Sequence, residues 1–214
     1  MKNKKFHLVI SRYNEDVSWI NEIINENIEI FVYNKGEDIN QIFPDNVNII
    51  NLDNTGRESH TYLHHIIEKY EFLPERIIFS QGHPHDHVSD NFKSSFLNFL
   101  SDNSGFKYFS KSILEMKILP DGVEESGDLN GTFWRNKHLH SSCCLSVPSN
   151  LFPDINSKKW IFGTGAIFGV DRNRIEKNSI EFYLKCMKIL NESSDLVNPP
   201  EGHAFERSWY LIFN

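Results

Sequence analysis

The sequence has few of the features that mark secreted or membrane-spanning proteins. Its three cysteines, Cys143, Cys144 and Cys186, are an odd number, and neighbouring cysteines rarely bridge each other, so a disulfide framework is not expected. The apolar run at residues 6–10 is too short for a signal-peptide core, and no apolar run reaches membrane-spanning length. These absences favour a reducing, cytoplasmic location and no integral membrane segment.

A long basic stripe is also missing. The formal net charge is −7, which argues against nucleic acid as a partner, because the phosphate backbone is bound mainly through Lys and Arg. A small phosphate-bearing ligand remains compatible, since one or two local cations or a metal ion suffice to bind it. The 214 residues, 39% of them hydrophobic and 13% aromatic, are enough for one domain with a full core.

The order of the apolar segments predicts an α/β fold. Strand-type segments are expected at residues 6–11, 28–33, 47–52 and 76–80, and helical spacing of apolar residues is found at 19–24 and 62–70. Such alternation predicts a mostly parallel mixed sheet with helices on both faces, which is a three-layer α/β/α domain spanning residues 1–214. Residues 102–159 are expected to be largely irregular, residues 162–170 to form one strand, and Asp171 to cap a helix reaching Leu190.

The stretch Ile77–His87 joins an apolar strand to a turn rich in possible metal ligands. Gly82 and Pro84 end the strand where those ligands begin, and α/β proteins carry their sites at the carboxyl ends of strands. Mn²⁺ and Mg²⁺ prefer carboxylate and phosphate oxygen, and Mn²⁺ tolerates imidazole. The predicted metal ligands are His85, Asp86 and His83. The alternative is that these side chains cap the strand end or face water.

Six short segments spread along the sequence resemble segments of a known family. They are Ser11–Asp16 with Trp19, Tyr33–Gly36, Gly56–Glu58 with residues 61–63, Gln81–Pro84, Gly165–Val170, and Glu206-Arg207-x-Trp209. Together these segments, which span nearly the whole chain, resemble an uncharacterised family of domains related to GT-A-type glycosyltransferases.

The resemblance implies a nucleotide-binding half at residues 1–101 and an acceptor-binding half at residues 102–214. The donor would be a UDP- or GDP-sugar, and the acceptor a hydroxyl of a glycan or a glycoprotein. The implied nucleotide contacts are Ser11, Arg12, Tyr13, Asn14, Tyr33, Lys35, Arg57 and Gln81. In such folds the central strand usually ends in Asp-x-Asp, which holds the metal, whereas here it ends in Gln81-Gly82-His83-Pro84.

Two of these cations have alternative interpretations. Arg57 follows Gly56 just before a helix, where a guanidinium can bind two phosphate oxygens, or it forms a surface ion pair with Glu58. Lys35 either contacts a phosphate or is simply solvated.

Transfer with inversion requires a base on the acceptor side of the site. The predicted candidates are Glu206 and His203, with Asp171 behind them. Glu206 could instead form an internal ion pair with Arg207, and His203 could complete the metal site.

Two other functions are compatible with the sequence. A Zn²⁺-dependent hydrolase would use His83, His85, Asp86 and His87, which nearly spell His-x-His-x-Asp-His but are one residue short of it. His138 and His140 would be further ligands. A catalytically inactive module that binds a nucleotide or glycan would explain the absence of Asp-x-Asp.

Overall fold

Two sheets organise the protein. The computed structural model describes residues 5–119, 122–126, 134–135, 147–155 and 159–214. The strands are β1 Phe6–Arg12, β2 Ile28–Asn34, β3 Val47–Asn51, β4 Arg76–Gln81, β5 Phe106–Tyr108, β6 Ile113–Leu119, β7 Gly122–Ser126, β8 Trp134–Arg135, β9 Lys159–Gly163 and β10 Phe168–Asp171. The central sheet has the order β3-β2-β1-β4-β10-β5, and a second sheet has the order β8-β7-β6-β9.

The central sheet is mixed and mostly parallel, as the sequence predicted. β3, β2, β1 and β4 are parallel neighbours, whereas β10 runs antiparallel to both β4 and β5. Consecutive parallel strands require crossovers through the layers above and below the sheet. The α/β class and the mixed sheet are therefore confirmed.

Helices cover both faces of the central sheet. They include α1 Arg57–Lys69, α2 Phe92–Phe99, α3 Arg172–Ile175, α4 Ile180–Asn191 and α5 Pro200–Phe213, with short 3-10 helices at Ser18–Glu22, Tyr70–Phe72 and Pro84–Asp86. Residues 147–151 are also helical. Successive residues of β1 point to opposite faces. Val9 packs with the apolar faces of α1, α4 and α5, whereas Leu8 and Ile10 pack with Trp19 and α2. No helix in the described ranges is long and apolar enough to cross a membrane.

Residues 162–170 do not form the single strand that was predicted. A tight turn separates β9 from β10, with φ of 82° at Gly165 and 51° at Ala166. A Cβ at position 165 would lie 2.6 Å from the His87 ring, so only glycine fits both the left-handed backbone and the close approach. The sequence predicts a continuous strand here because neither a proline nor a cluster of polar residues marks the turn, which is formed by small residues.

Three other element predictions are corrected. The segment 102–159, expected to be irregular, contains β5–β8 and the start of β9. The predicted helix from Asp171 to Leu190 is two helices, α3 and α4, although Asp171 does cap the first, accepting a bond from Arg174 N at 2.9 Å. The predicted helix at residues 19–24 is only the 3-10 helix Ser18–Glu22.

Candidate functional site

The candidate site lies where the strand order of the central sheet reverses. From β1 the chain continues to β2 on one side, and β4 pairs with β1 on the other. Ser11 is opposite both Tyr33 and Gln81, so the carboxyl ends of three strands meet at one edge. Open α/β sheets bind ligands at such a switch point.

A cavity of about 240 Å³ occupies this edge. Its lining includes the sequence-predicted residues Ser11, Arg12, Tyr13, Lys35, Arg57 and Gln81. It also includes three residues that the sequence did not single out as ligands, namely Glu15, Asn54 and Glu58. Three cationic and two anionic side chains therefore surround one space.

Arg12 holds together the loops that follow β1 and β2. Its Nε donates to Glu15 O at 2.9 Å, and its Nη1 donates to Tyr13 O at 3.0 Å, to Glu37 O at 2.8 Å and to the Asn34 side chain. The loops can approach because of Gly36, where a Cβ would lie 2.0 Å from Tyr13 O. The guanidinium is thus fixed at the cavity wall by backbone carbonyls.

Lys35 is a buried cation, not the solvated lysine of the alternative interpretation. Its exposure is 8%, and Nζ donates to the carbonyl oxygens of Thr55 at 2.6 Å and of Arg57 at 2.5 Å. Burial lowers the pKa of Lys35 to about 8, and Glu58 opposes that shift. Lys35 therefore connects the end of β2 to the loop before α1. Its positive charge is lost as the pH rises through about 8.

The backbone at the start of α1 is strained. Gly56 and Arg57 have φ of 63° and 52°, and the left-handed region costs a non-glycine residue roughly 1–2 kcal/mol. Observed strain of this kind motivates a functional hypothesis for the residue that carries it. Lys35 helps to hold this backbone through the Arg57 carbonyl.

The side chain of Arg57 is oriented by the C-terminal part of the chain. Its Nη1 lies 3.0 Å from Asn198 Oδ1 and 2.8 Å from His203 Nε2. A guanidinium only donates hydrogen bonds, so His203 Nε2 must accept this one and carry no proton. That nitrogen is therefore occupied by Arg57, which argues against its use as a metal ligand or a base.

The ion pair between Arg57 and Glu58 that was given as an alternative is present, but Glu58 is buried and does not lie at the surface. Its exposure is 8%, and Oε2 lies 3.6 Å from Arg57 Nε. Burial raises the pKa of the Glu58 carboxyl; Arg57 opposes the shift and Glu206 adds to it. Position 58 is four residues before Tyr62 and eight before Ile66, on the inner stripe of α1. That spacing is the sequence signal that could have identified it.

Two predicted nucleotide contacts do not line the cavity. Tyr33 is 1% exposed, and its hydroxyl is 2.9 Å from His65 Nδ1 beneath α1. Asn14 is exposed at the rim, and its Oδ1 accepts a hydrogen bond from Glu37 N at 2.8 Å. Their placement assigns both side chains to the packing of the strand ends.

Asp171 lies at the wrong edge of the sheet for the predicted catalytic role. It pairs with Arg76 at the start of β4, whereas the cavity is at Gln81, about 16 Å away along an extended strand. Its carboxylate caps α3. The prediction failed because β10 runs antiparallel to β4. The last residue of β10, Asp171, therefore lies at the edge of the sheet opposite to the cavity.

Glu206 lies close to the turn between β9 and β10. Its Oε1 accepts a hydrogen bond from Gly165 N at 2.6 Å, and its Oε2 lies 3.5 Å from Arg207 Nη1. The ion pair with Arg207 foreseen as an alternative is thus present. Glu206 is also near enough to the cavity for its charge to raise the pKa of Glu58.

The predicted metal ligands are not assembled into a site. His83 Nε2 and Asp86 Oδ1 are 3.9 Å apart, with side-chain exposures of 50% and 79%, and the His83 and His85 rings are 4.8 Å apart. Across the described ranges, no three His, Cys, Asp or Glu residues form a group that could hold a metal ion. The described residues therefore give no support to a Mn²⁺, Mg²⁺ or Zn²⁺ site here, and metal binding by His83, His85 and Asp86 stays a prediction. His138 and His140 lie outside the described residues.

Comparison with known proteins identifies a family but no activity. No curated protein matches the chain. Residues 8–214 match a family model described as "Protein of unknown function (DUF3431)", and this range contains every residue that lines the cavity. The chain therefore belongs to the DUF3431 family.

Proposed function

We propose that this protein transfers a sugar from a UDP- or GDP-sugar to a hydroxyl group of a glycan or protein, and that the cavity binds the donor. The observation that carries the proposal is the convergence of Arg12, Lys35 and Arg57 on one cavity at the switch point of the sheet. Cationic side chains bind phosphate oxygens through charge-assisted hydrogen bonds. The resemblance to GT-A-type glycosyltransferases agrees with this placement.

The start of α1 adds to the anion-binding character of the cavity. Arg57 and Glu58, which line it, are the first two residues of that helix. Backbone N–H groups in a first helical turn lack intrahelical partners and favour a bound phosphate. The Glu58 N–H is bonded to the Glu58 carboxylate, so a diphosphate placed between α1 and the strand ends would meet the rest of this first turn together with the three cations.

In this proposal the cations of the cavity, rather than a metal ion, offset the charge that develops on the leaving group. The bond between the anomeric carbon and a diphosphate oxygen breaks, and its electron pair leaves with the nucleoside diphosphate. The acceptor oxygen forms the new bond to the anomeric carbon. Fixed cations at the departing phosphate stabilise that separation of charge, which is electrostatic stabilisation of the transition state.

Glu206 is our candidate for the base that takes the proton of the acceptor hydroxyl. Its carboxylate is held by Gly165 N, and 17% of the side chain is exposed, so part of it is open to a ligand. Proximity to the buried Glu58 supports a position beside the donor cavity. A positioned carboxylate of this kind serves as a general base when configuration inverts.

Ligand-dependent stabilisation tests the proposal. Thermal unfolding and calorimetric titration with UDP and GDP, in EDTA and in Mn²⁺, should show stabilisation in EDTA, because binding to the folded state raises its unfolding temperature. Lys35→Met and Arg57→Gln should weaken binding about tenfold or more. Lys188→Gln, which replaces an exposed lysine, is the control and should bind normally.

Three results would count against the transferase. Absence of stabilisation by millimolar UDP or GDP would show that the cavity does not bind the nucleotide of the proposed donor. Stabilisation by Zn²⁺ alone would favour the hydrolase. Nucleotide binding without turnover of any UDP- or GDP-sugar, in a panel of donors and acceptors, would indicate a catalytically inactive binding module.

A further inference from the structure

Glu58 is a buried carboxylate that the proposed diphosphate site does not explain. It lines the cavity and is 8% exposed. Its own backbone N–H bonds the carboxylate, and two cations act on it, namely Arg57, whose Nε lies 3.6 Å from Oε2, and Lys35. A carboxyl group keeps acceptor lone pairs in either protonation state, so Glu58, which lines the cavity, retains unused acceptor capacity.

A purely structural role does not require this burial. An acidic residue in the first turn of a helix interacts favourably with the helix dipole, but a solvent-exposed carboxylate achieves the same. Desolvating a carboxylate is unfavourable unless hydrogen bonds compensate. The placement of Glu58 is therefore best explained by hydrogen-bond donors that come from a ligand.

The charges around the cavity indicate what kind of ligand supplies those donors. A bare phosphate or diphosphate would be attracted by the three cations and repelled by Glu58. The other carboxylate is already engaged, because Glu15 Oε2 accepts a hydrogen bond from Tyr13 N at 2.6 Å. A ligand that combines a diphosphate with hydroxyl groups would satisfy both the cations and Glu58.

We propose that Glu58 is a specificity residue that accepts hydrogen bonds from two adjacent hydroxyl groups on a sugar ring of the ligand. The inference rests on the proposed function, which provides the diphosphate. Two carboxylate oxygens match a pair of neighbouring hydroxyls. The ring is either the ribose of the nucleotide or the sugar that is transferred, and the experiment separates the two.

The test compares ligands that differ only in hydroxyl groups. Calorimetric titration of the wild type would use inorganic diphosphate, UDP or GDP, their 2′-deoxy and 3′-deoxy forms, and nucleotide-sugars with and without single hydroxyls on the transferred ring. Loss of a hydroxyl that Glu58 binds should weaken binding about tenfold. The ring whose deoxy form shows this loss is the one that Glu58 contacts.

Glu58→Gln should lose this discrimination. The variant should bind the complete ligand about tenfold more weakly and bind the deoxy form no worse than the wild type does. Inorganic diphosphate should bind equally well or more tightly, because a negative charge has been removed from the cavity. Glu68→Gln, which changes an exposed residue of the same helix, is the control and should behave like the wild type.

Each contrary result has a distinct meaning. If every deoxy ligand binds wild-type protein as tightly as its parent, Glu58 binds no hydroxyl group and the inference is wrong. The proposed donor site is not affected by that result. If Glu58→Gln weakens inorganic diphosphate as much as the nucleotide, Glu58 acts through Arg57 or α1, and the inference is wrong. If wild-type protein binds no nucleoside diphosphate, the proposed function fails and this inference fails with it. The wild-type comparison needs no variant to fold.

Discussion

Lys35 should make ligand binding depend on pH in the range where enzymes are usually assayed. Its pKa is lowered to about 8 by burial, so its charge is lost as the pH rises through that value. We expect the affinity for UDP or GDP to fall about fivefold or more between pH 7 and pH 9, because a neutral amine attracts diphosphate weakly. Calorimetric titration across that interval measures the effect.

Lys35→Met provides the comparison for this pH dependence. The variant should bind weakly at pH 7 and show no further loss up to pH 9. An equally steep decline in the variant would assign the pH dependence to a different group.

His203 should act as a hydrogen-bond acceptor that orients Arg57, and not as a catalytic base. Its Nε2 lies 2.8 Å from Arg57 Nη1. His203→Gln can retain an acceptor at that position, so it should keep most of the nucleotide affinity, whereas His203→Ala should lose about three- to tenfold. A base would behave differently, since both variants would then lose turnover while binding nucleotide normally.

Local sequence patterns predicted part of the cavity lining. The other lining residues depend on which face of each strand or helix is turned towards the cavity. Arg12, Lys35 and Gln81 were found because polar residues after apolar strands reach the carboxyl edge of a parallel sheet. Tyr33 was assigned to the ligand, but it shares the face of β2 that packs against α1. Glu58 was missed because its role depends on which face of α1 is turned inward.

The cavity depends on the close contact between the loops that follow β1 and β2. A Cβ at Gly36 would lie 2.0 Å from Tyr13 O and 2.3 Å from Asn14 Oδ1. Gly36→Ala should therefore push the loops apart, lowering the free energy of unfolding by about 1–3 kcal/mol and weakening nucleotide binding. Urea unfolding and calorimetric titration measure the two effects.

Ile42→Ala is the matched control for that substitution. Ile42 lies in the connection between β2 and β3 and is 95% exposed, so its replacement should change stability by less than about 0.5 kcal/mol. Equal stability of the Gly36 and Ile42 variants would show that the loops adapt without cost.

Helices and strands whose apolar residues recur with a clear period were predicted better than strands that are separated by tight turns. The inner stripe of α1 and the parallel strands β1, β2 and β4 follow directly from apolar spacing. The break between β9 and β10 depends on two consecutive residues in the left-handed region, Gly165 and Ala166. An alanine in that conformation is imposed by tertiary packing and leaves no pattern in the sequence.

For the whole molecule, buried neutral histidines should set the response to acid. His7 Nδ1 is 3.0 Å from His65 Nε2, and the hydroxyl of Tyr33 is 2.9 Å from His65 Nδ1. Burial lowers the pKa of His7 to about 3 and that of His65 well below its ordinary value. A chain of neutral groups therefore lies between the sheet and α1.

Stability should fall as the pH is lowered from about 6.5 towards 3. In that interval the unfolded chain binds protons that the folded protein excludes, so the stabilisation is complete above pH 6.5 and is lost in acid. Each histidine contributes at most about 1.4 kcal/mol per pH unit. Urea unfolding should show a shallower dependence in His7→Phe than in the wild type. His83→Asn, a change at a half-exposed site, should leave the slope unaltered.

The attachment of Arg57 to residues far along the chain has a consequence for biosynthesis. Asn198 and His203 are separated from it by 141 and 146 positions. A ribosome releases the amino-terminal strands long before it releases these partners, and contacts so distant in sequence form slowly. A nascent polypeptide that stops short of residue 203 lacks both His203 and the core residues Phe205, Trp209 and Phe213, so binding competence should appear only when synthesis has passed that point.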